Sequence, residues 1–127
     1  MHANSLKPLI HLNAGEKQNK TEVCFDIYAL GRDLVLVISG GETHVGAVAC
    51  SNLGSLESFG LKNHKEIELV KEVAHELAEV TTKEILVVGG IHYDDISKEQ
   101  IDQINVHITS LTSTLKEEVA ALKLDFR

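Results

Sequence analysis

The chain has 127 residues, with 12 Lys and Arg against 19 Asp and Glu, so its formal net charge is −7 with histidine neutral; 43% of it is apolar. These values fit one globular domain and exclude a disordered chain. An acidic protein lacks the basic face that nucleic acid needs, and no apolar run reaches the roughly 20 residues of a membrane span. We therefore expect no nucleic-acid or membrane partner, and the absence of a signal-peptide pattern predicts a cytoplasmic protein.

The first part of the chain predicts strands. Residues 1–22 are polar and mixed, which indicates an N-terminal arm or edge segment with a short strand near 9–12, before a single α/β domain at 23–127. Alternating or continuous apolar runs then predict five strands, which are 23–30, 34–39, 44–51, 58–61 and 84–89.

Two amphipathic helices complete the pattern. Asn63 is a good N-cap with Glu66 three residues later, and apolar residues recur at helical spacing up to Leu77. Ser97 and Gln100 form a second capping-box pair, which begins a long helix that runs to about residue 124.

This order of elements predicts an α/β, α+β-like fold. We expect a two-layer sandwich with a mixed β-sheet, in the order β-β-β-β-α-β-α with two amphipathic helices. Strand 44–51 is taken as the hairpin partner of 34–39, which makes 58–61 and 84–89 run parallel to 34–39. Three connections, at 40–46, 60–66 and 89–95, then meet at one end of the sheet, where open α/β sheets commonly bind ligands.

The central strands are apolar on both faces, which bears on assembly. If both helices pack on one face, the other face needs a partner, and we expect a homodimer. Helices on opposite faces would instead give a monomer.

The three connections each carry a histidine: His44, His64 and His92. Glycines next to them allow close approach of a ligand to the backbone, although a pair such as Gly40 and Gly41 also suits a simple turn. His64 and Lys65 lie in a first helical turn, where free N–H groups favour an anion, although a solvated helix start is an equal interpretation. The candidate cofactor-binding residues are Gly40, Gly41, His44, Gly46, His64, Lys65, Gly90, His92 and Asp94.

Catalytic and metal chemistry have weaker support. His44, His64 and His92 with Asp94 could bind Zn²⁺, but no two histidines have close helical ligand spacing, so we assign no metal site. Cys24 and Cys50 indicate small buried thiols. Because no nucleophile, phosphate-loop or Cys-x-x-Cys motif is present, we assign no catalytic residue.

The same segments resemble a known family. Residues 40–49 (GGETHVGAVA), 64–66 (HKE) and 90–94 (GIHYD) resemble, in order, three segments of the LpdD-like prenylated-flavin chaperone domains, also met as the small D subunit associated with gallate-type decarboxylases. The likeness covers about residues 23–120. The last segment usually continues Asp-Asn, whereas Asp94 is followed here by Asp95.

The resemblance implies a cytoplasmic homodimer that binds prenylated FMN or FMN. Such a protein would act as a cofactor chaperone for a UbiD-type aromatic acid decarboxylase, without turnover of its own. Two alternatives stay open: a stable small subunit of a decarboxylase complex, or a metal-dependent enzyme that uses His44, His64 and His92.

Overall fold

The computed structural model describes residues 6–42, 44–52, 55–60 and 64–122, without the side chains of residues 52–60, 64 and 65. Six strands and two α-helices follow one another along the chain, with a short 3-10 helix (Lys17–Asn19) after the first strand: β1 (Ile10–Ala14), β2 (Val23–Leu30), β3 (Asp33–Gly41), β4 (Ala47–Asn52), β5 (Ser55–Gly60), α1 (His64–Ala78), β6 (Ile85–His92) and α2 (Lys98–Ala121). The expected α+β class and the order of its elements are confirmed, and the expected edge strand is present as β1.

The strands form one mixed sheet in the order β1-β2-β3-β6-β4-β5. β3 and β6, the two continuously apolar strands, occupy its middle and pair in parallel, whereas β4 runs antiparallel to β6. The expected hairpin between β3 and β4 is therefore wrong, because β6 lies between them. The expected strand directions hold, since β5 pairs antiparallel with β4 and so runs with β3 and β6.

Two strand bounds differ from the sequence prediction at the end of the sheet where the three connections were expected to meet. β6 extends to His92, so Gly89 and Gly90 belong to a strand and not to its exit loop. β4 begins only at Ala47, which leaves His44 and Gly46 in the connection before it. Glycine and histidine suggested a loop, but the parallel ladder with β3 extends β6 as far as the pair Gly41 and His92.

One face of the sheet packs against both helices. Its middle row joins Ile27, Leu36, Val87 and Ala49 across four strands, and all four are buried. They belong to a single core cluster with apolar residues of α1 and α2, which are Val70, Val73, Ala74, Leu77, Ile104, Leu111, Leu115 and Val119. The apolar residues of both helices thus pack against the same face of the sheet.

The opposite face, here called the outer face, carries a second apolar set. Val37, Val88 and Val48 are aligned across β3, β6 and β4, and all three are half-buried. Val35 and Leu86 form the next row. Toward β1 the face becomes polar, where His11 contacts Asp26 across the strands at 2.5 Å.

The helix ends follow local chemistry. The Ser97 side chain accepts a hydrogen bond from the Gln100 backbone N–H while the Gln100 side chain bonds the Ser97 backbone, so the predicted capping box at α2 is confirmed. The equivalent prediction for Asn63 lies outside the described residues. No helix in the described part of the chain is long and apolar enough to cross a membrane.

Candidate functional site

The predicted convergence of three connections at one end of the sheet is present in the structure. Gly41, the last residue of β3, pairs with His92, the last residue of β6. Ala47, the first residue of β4, pairs with both Gly89 and Gly60. One end of the sheet therefore brings together the ends of β3, β5 and β6 and the start of β4. The order of these strands differs from the sequence prediction.

Five side chains gather there and are called the sheet-end cluster: Glu42, His44, Glu66, His92 and Asp94. The rings of His44 and His92 meet edge to face, with centroids 6.0 Å apart and planes at 85°. His44 Nε2 lies 3.3 Å from Glu66 Oε1, and the Glu66 side chain is only 13% exposed. The half-buried part of the cluster is thus an imidazole against a carboxylate.

The outer part of the cluster is open to solvent. His92 Nε2 lies 2.9 Å from Asp94 Oδ1, and their side chains are 50% and 76% exposed. The Glu42 backbone N–H donates to the His92 carbonyl at 2.9 Å, which holds Glu42 beside His92. On the far side of the exit loop, Lys20 Nζ donates to the Asp94 carbonyl oxygen at 2.8 Å.

At this end of the sheet, other atoms of the protein occupy the space that a side chain at the glycine positions would need. A Cβ on Gly90 would lie 1.6 Å from the His44 carbonyl oxygen, and one on Gly46 would lie 1.8 Å from Glu66 Oε2. Gly41 has φ +67° and would meet the His92 carbonyl at 2.1 Å. The small residues therefore let neighbouring segments close on one another, which brings the two histidines together.

The two predicted cationic residues are placed only by their backbone. α1 begins at His64, with Lys65 next and Glu66 as the acidic residue of its first turn. The positive end of the helix dipole favours a carboxylate in that position, so Glu66 has a structural reason to be there. How the side chains of His64 and Lys65 meet the cluster lies outside the described residues.

Tyr93 packs beside the cluster. Its hydroxyl donates to the Glu22 carbonyl oxygen at 2.7 Å, and burial, with the nearby Glu22 carboxylate, raises the pKa of the phenol. The ring also lies where a Cβ on Gly41 would come within 2.8 Å of it. Tyr93 therefore braces the ends of β3 and β6.

The remaining sequence candidates lie elsewhere. His11 is on the outer face, and His75 is exposed at the last turn of α1. Cys24 and Cys50 are half-buried rather than buried, and burial raises the pKa of both thiols. The protonated thiol is a poor nucleophile, so neither has the character of a catalytic cysteine.

A cavity of about 280 Å³ lies in a different place, between the two helices. Leu69, Val73 and Ile108 line its apolar part, and the Glu76–Lys116 ion pair closes one side. None of its lining residues belongs to the sheet-end cluster.

Sequence reasoning singled out His44, His92 and Asp94, and the structure brings these three together. It missed Glu42 and gave Glu66 only a capping role. Glu42 lies between Gly41 and His44 in the same short segment, so its position in the chain was the available signal. Together these groups can donate and accept hydrogen bonds, hold protons, and ligate a cation.

The fold and this site define a small α+β protein with a polar site at one end of its sheet. A solved structure described as a novel chaperone complex for yeast 20S proteasome assembly is similar in fold, with a TM-score of 0.53 and 9% identity over 88% of this chain and 96% of that one. No curated protein matches the chain.

The chain belongs to the prenylated flavin chaperone LpdD-like domain family, whose model matches residues 17–120. This match confirms the resemblance seen in the sequence. It includes β2 through most of α2 and all five residues of the sheet-end cluster.

Proposed function

We propose that this protein binds prenylated FMN or FMN in the cytoplasm and delivers it to a UbiD-type aromatic acid decarboxylase, without turnover of its own. The observation that carries the proposal is the family match over residues 17–120, which includes every segment of the sheet-end cluster. Delivery requires a site from which the cofactor can leave, and the 50% exposure of His92 suits such a site.

The site offers recognition by hydrogen bonding. His44 and His92 present imidazoles that can donate to or accept from the ring heteroatoms of a flavin, or donate to a phosphate. Backbone N–H groups at the start of α1, with Lys65 in its first turn, favour the phosphate. Tyr93 and neighbouring aliphatic groups supply apolar contact for the ring.

Charge sets where the phosphate can lie. Glu42, Glu66 and Asp94 give the cluster three carboxylates, which repel an anionic phosphate at short range. The phosphate is therefore placed toward His64 and Lys65, and the neutral ring toward His44 and His92. This orientation is part of the proposal.

The proposal includes a homodimer. The outer face exposes a continuous apolar centre around Val37, Val88 and Val48 while both helices cover the other face. A second copy offers a patch of the same kind and would remove both from water. A cofactor-bound structure of the dimer would show whether the residues of one chain or of both chains contact the cofactor.

Flavin titration tests the binding proposal. We expect tag-free protein to bind FMN or enzymatically made prenylated FMN, with a flavin-like absorbance after co-expression with a flavin prenyltransferase. Loss of one hydrogen bond to a charged or polar ligand group weakens binding by roughly tenfold or more, which is the expected effect of His44→Ala and of Lys65→Ala.

His75→Ala is the matched control, because it removes an exposed imidazole from the opposite end of α1. It should leave the affinity unchanged. Wild-type protein that binds neither flavin, or a His75→Ala variant that loses as much affinity as His44→Ala, would contradict the proposal.

Pull-down with a UbiD-type decarboxylase separates chaperone from subunit. A delivery protein should bind the cofactor-free enzyme transiently and dissociate once the flavin is transferred. A complex that survives with the cofactor already in the enzyme would instead support the alternative of a stable small subunit.

A further inference from the structure

Three side chains of the sheet-end cluster lie close enough together to hold a metal ion. Glu42, His92 and Asp94 each offer one ligand atom, and these atoms all lie within 4.8 Å of one another. His92 Nε2 and Asp94 Oδ1 are 2.9 Å apart. Two ligands at right angles around an ion, each about 2.1 Å from it, are separated by about 3 Å, so this pair already has the right spacing.

The sheet holds the donors in place. Glu42 follows Gly41 at the end of β3, and His92 ends β6, the parallel neighbour of β3. The hydrogen bond from the Glu42 N–H to the His92 carbonyl fixes the two residues side by side. Asp94 follows two residues later, and Lys20 holds its carbonyl. The ligands therefore come from two adjacent strand ends rather than from one free loop.

The donor chemistry indicates the kind of ion. One imidazole with two carboxylates suits Mn²⁺ or Zn²⁺ better than a soft ion such as Cu⁺, which prefers sulfur ligands. All three residues are exposed, so a hydrated ion can reach them and keep water in its remaining positions.

The surrounding charges are mixed. Glu66, on the half-buried side, adds a further carboxylate next to His44, whose ring touches that of His92. Lys20 is the cation nearest to Asp94 among the contacts described, and it bonds the backbone and leaves the Asp94 carboxylate to His92. Two ligand carboxylates against one lysine leave the site attractive to a divalent cation.

We propose that Glu42, His92 and Asp94 bind one divalent metal cation, of the Mn²⁺ or Zn²⁺ type, per chain. The sequence suggested His44, His64 and His92 with Asp94 instead. In the structure Glu42 joins His92 and Asp94, and His44 faces Glu66. This proposal does not rest on flavin binding, although His92 and Asp94 belong to both candidate sites. A cation here would also supply positive charge to an end of the sheet where carboxylates predominate.

Metal titration of the full-length, tag-free protein tests the site with no flavin present. Mn²⁺ binding is followed by the loss of the free-ion signal in electron paramagnetic resonance, and Zn²⁺ binding by calorimetry. We expect one ion per chain. Asp94→Asn and His92→Ala should each weaken binding by at least about tenfold, because each removes one of three protein ligands.

Asp95→Asn is the matched control. It removes the same charge one residue further along, and asparagine tolerates the left-handed backbone at this position, where φ is +53°. Its affinity should stay within about twofold of wild type, since only long-range attraction changes. If Asp94→Asn and Asp95→Asn weakened metal binding equally, the effect would come from long-range attraction by negative charge, and the proposed site would be overturned.

A second measurement does not depend on the variants folding. In the wild-type protein, substoichiometric Mn²⁺ should broaden the NMR signals of the His92 ring and leave those of His75 sharp. Broadening of both rings alike, or the absence of stoichiometric binding of either metal, would overturn the proposal whatever the flavin titration shows.

Discussion

At the end of the sheet, individual glycines allow neighbouring segments to approach closely because they lack a side chain. The space that a Cβ would take at Gly90 is filled by the His44 carbonyl, and that at Gly46 by the Glu66 carboxylate. Either side chain would push apart the segments that carry the cluster. Glycine at these positions therefore has an internal role, and a ligand need not touch the backbone there.

Gly90→Ala should cost about 3 kcal/mol in the free energy of unfolding, because its Cβ would overlap backbone 1.6 Å away that cannot rotate aside. Gly31→Ala is the comparison, since Gly31 has φ +60° but nothing within 4 Å of a new Cβ. It should cost only the 1–2 kcal/mol or so of the left-handed backbone. Urea unfolding measures both; equal costs would show that the close approach at Gly90 relaxes freely.

At the scale of elements, an ion pair joins the two helices. Lys116 Nζ of α2 lies 2.7 Å from Glu76 Oε2 of α1 and 4.0 Å from Glu79 Oε2. The hydrogen bond to Lys116 lowers the pKa of Glu76, and the same bond raises the pKa of Lys116. The pair thus favours the charged forms of both groups in the folded state.

This pair predicts a pH-dependent stability difference between wild type and Glu76→Gln. Because the pKa of Glu76 is lowered in the folded state, its charged form stabilises the fold fully above the ordinary pKa of 4.5. This stabilisation is lost as the pH falls through the folded-state pKa. Because the pKa of Lys116 is raised in the folded state, its charged form stabilises the fold fully below the ordinary pKa of 10.5. This stabilisation is lost as the pH rises through the folded-state pKa. The wild-type advantage should therefore be flat between these limits and disappear in acid.

Denaturant midpoints across this pH range provide the measurement. The advantage should be small, because both side chains of the pair remain partly exposed to solvent. Glu72→Gln, one turn earlier on α1, should show no such plateau. An advantage that persists at pH values well below the folded pKa of Glu76 would assign the effect to packing rather than to charge.

At the scale of the whole molecule, the two faces of the sheet differ in cover. One packs against α1 and α2, whereas the outer face presents its valines half-buried. The proposed dimer follows from this difference.

Val88→Lys tests the dimer at the centre of the outer face. A charge there should shift the protein from dimer to monomer at low micromolar concentration, because the lysine would be desolvated against its symmetry mate. Analytical ultracentrifugation gives the mass, and circular dichroism checks that the fold is kept.

Val106→Lys is the matched control, since Val106 is 64% exposed on α2. It should leave the mass unchanged. A wild-type protein that sediments as a monomer, or a dimer broken by Val106→Lys but not by Val88→Lys, would rule out the outer face as the interface.

Much of this structure could be predicted from local pattern. Alternation gave β2 with the observed bounds, and Ser97 with Gln100 gave the start of α2. The order of strands could not be predicted, because nothing near β4 in the chain shows that β6 separates it from β3. Glu42 was missed for a related reason: its partner His92 is brought near by a ladder between distant segments.

The position of β6 has a consequence for how the protein is made. The two strands on either side of it, β3 and β4, have no direct pairing to each other in the sheet. While the chain emerges from the ribosome, residues 33–52 must wait until residues 85–92 are synthesised before the middle of the sheet can close. Contacts so distant in sequence slow folding. His92 is the last residue of that inserted strand, so the cluster is completed only when the central strand is in place.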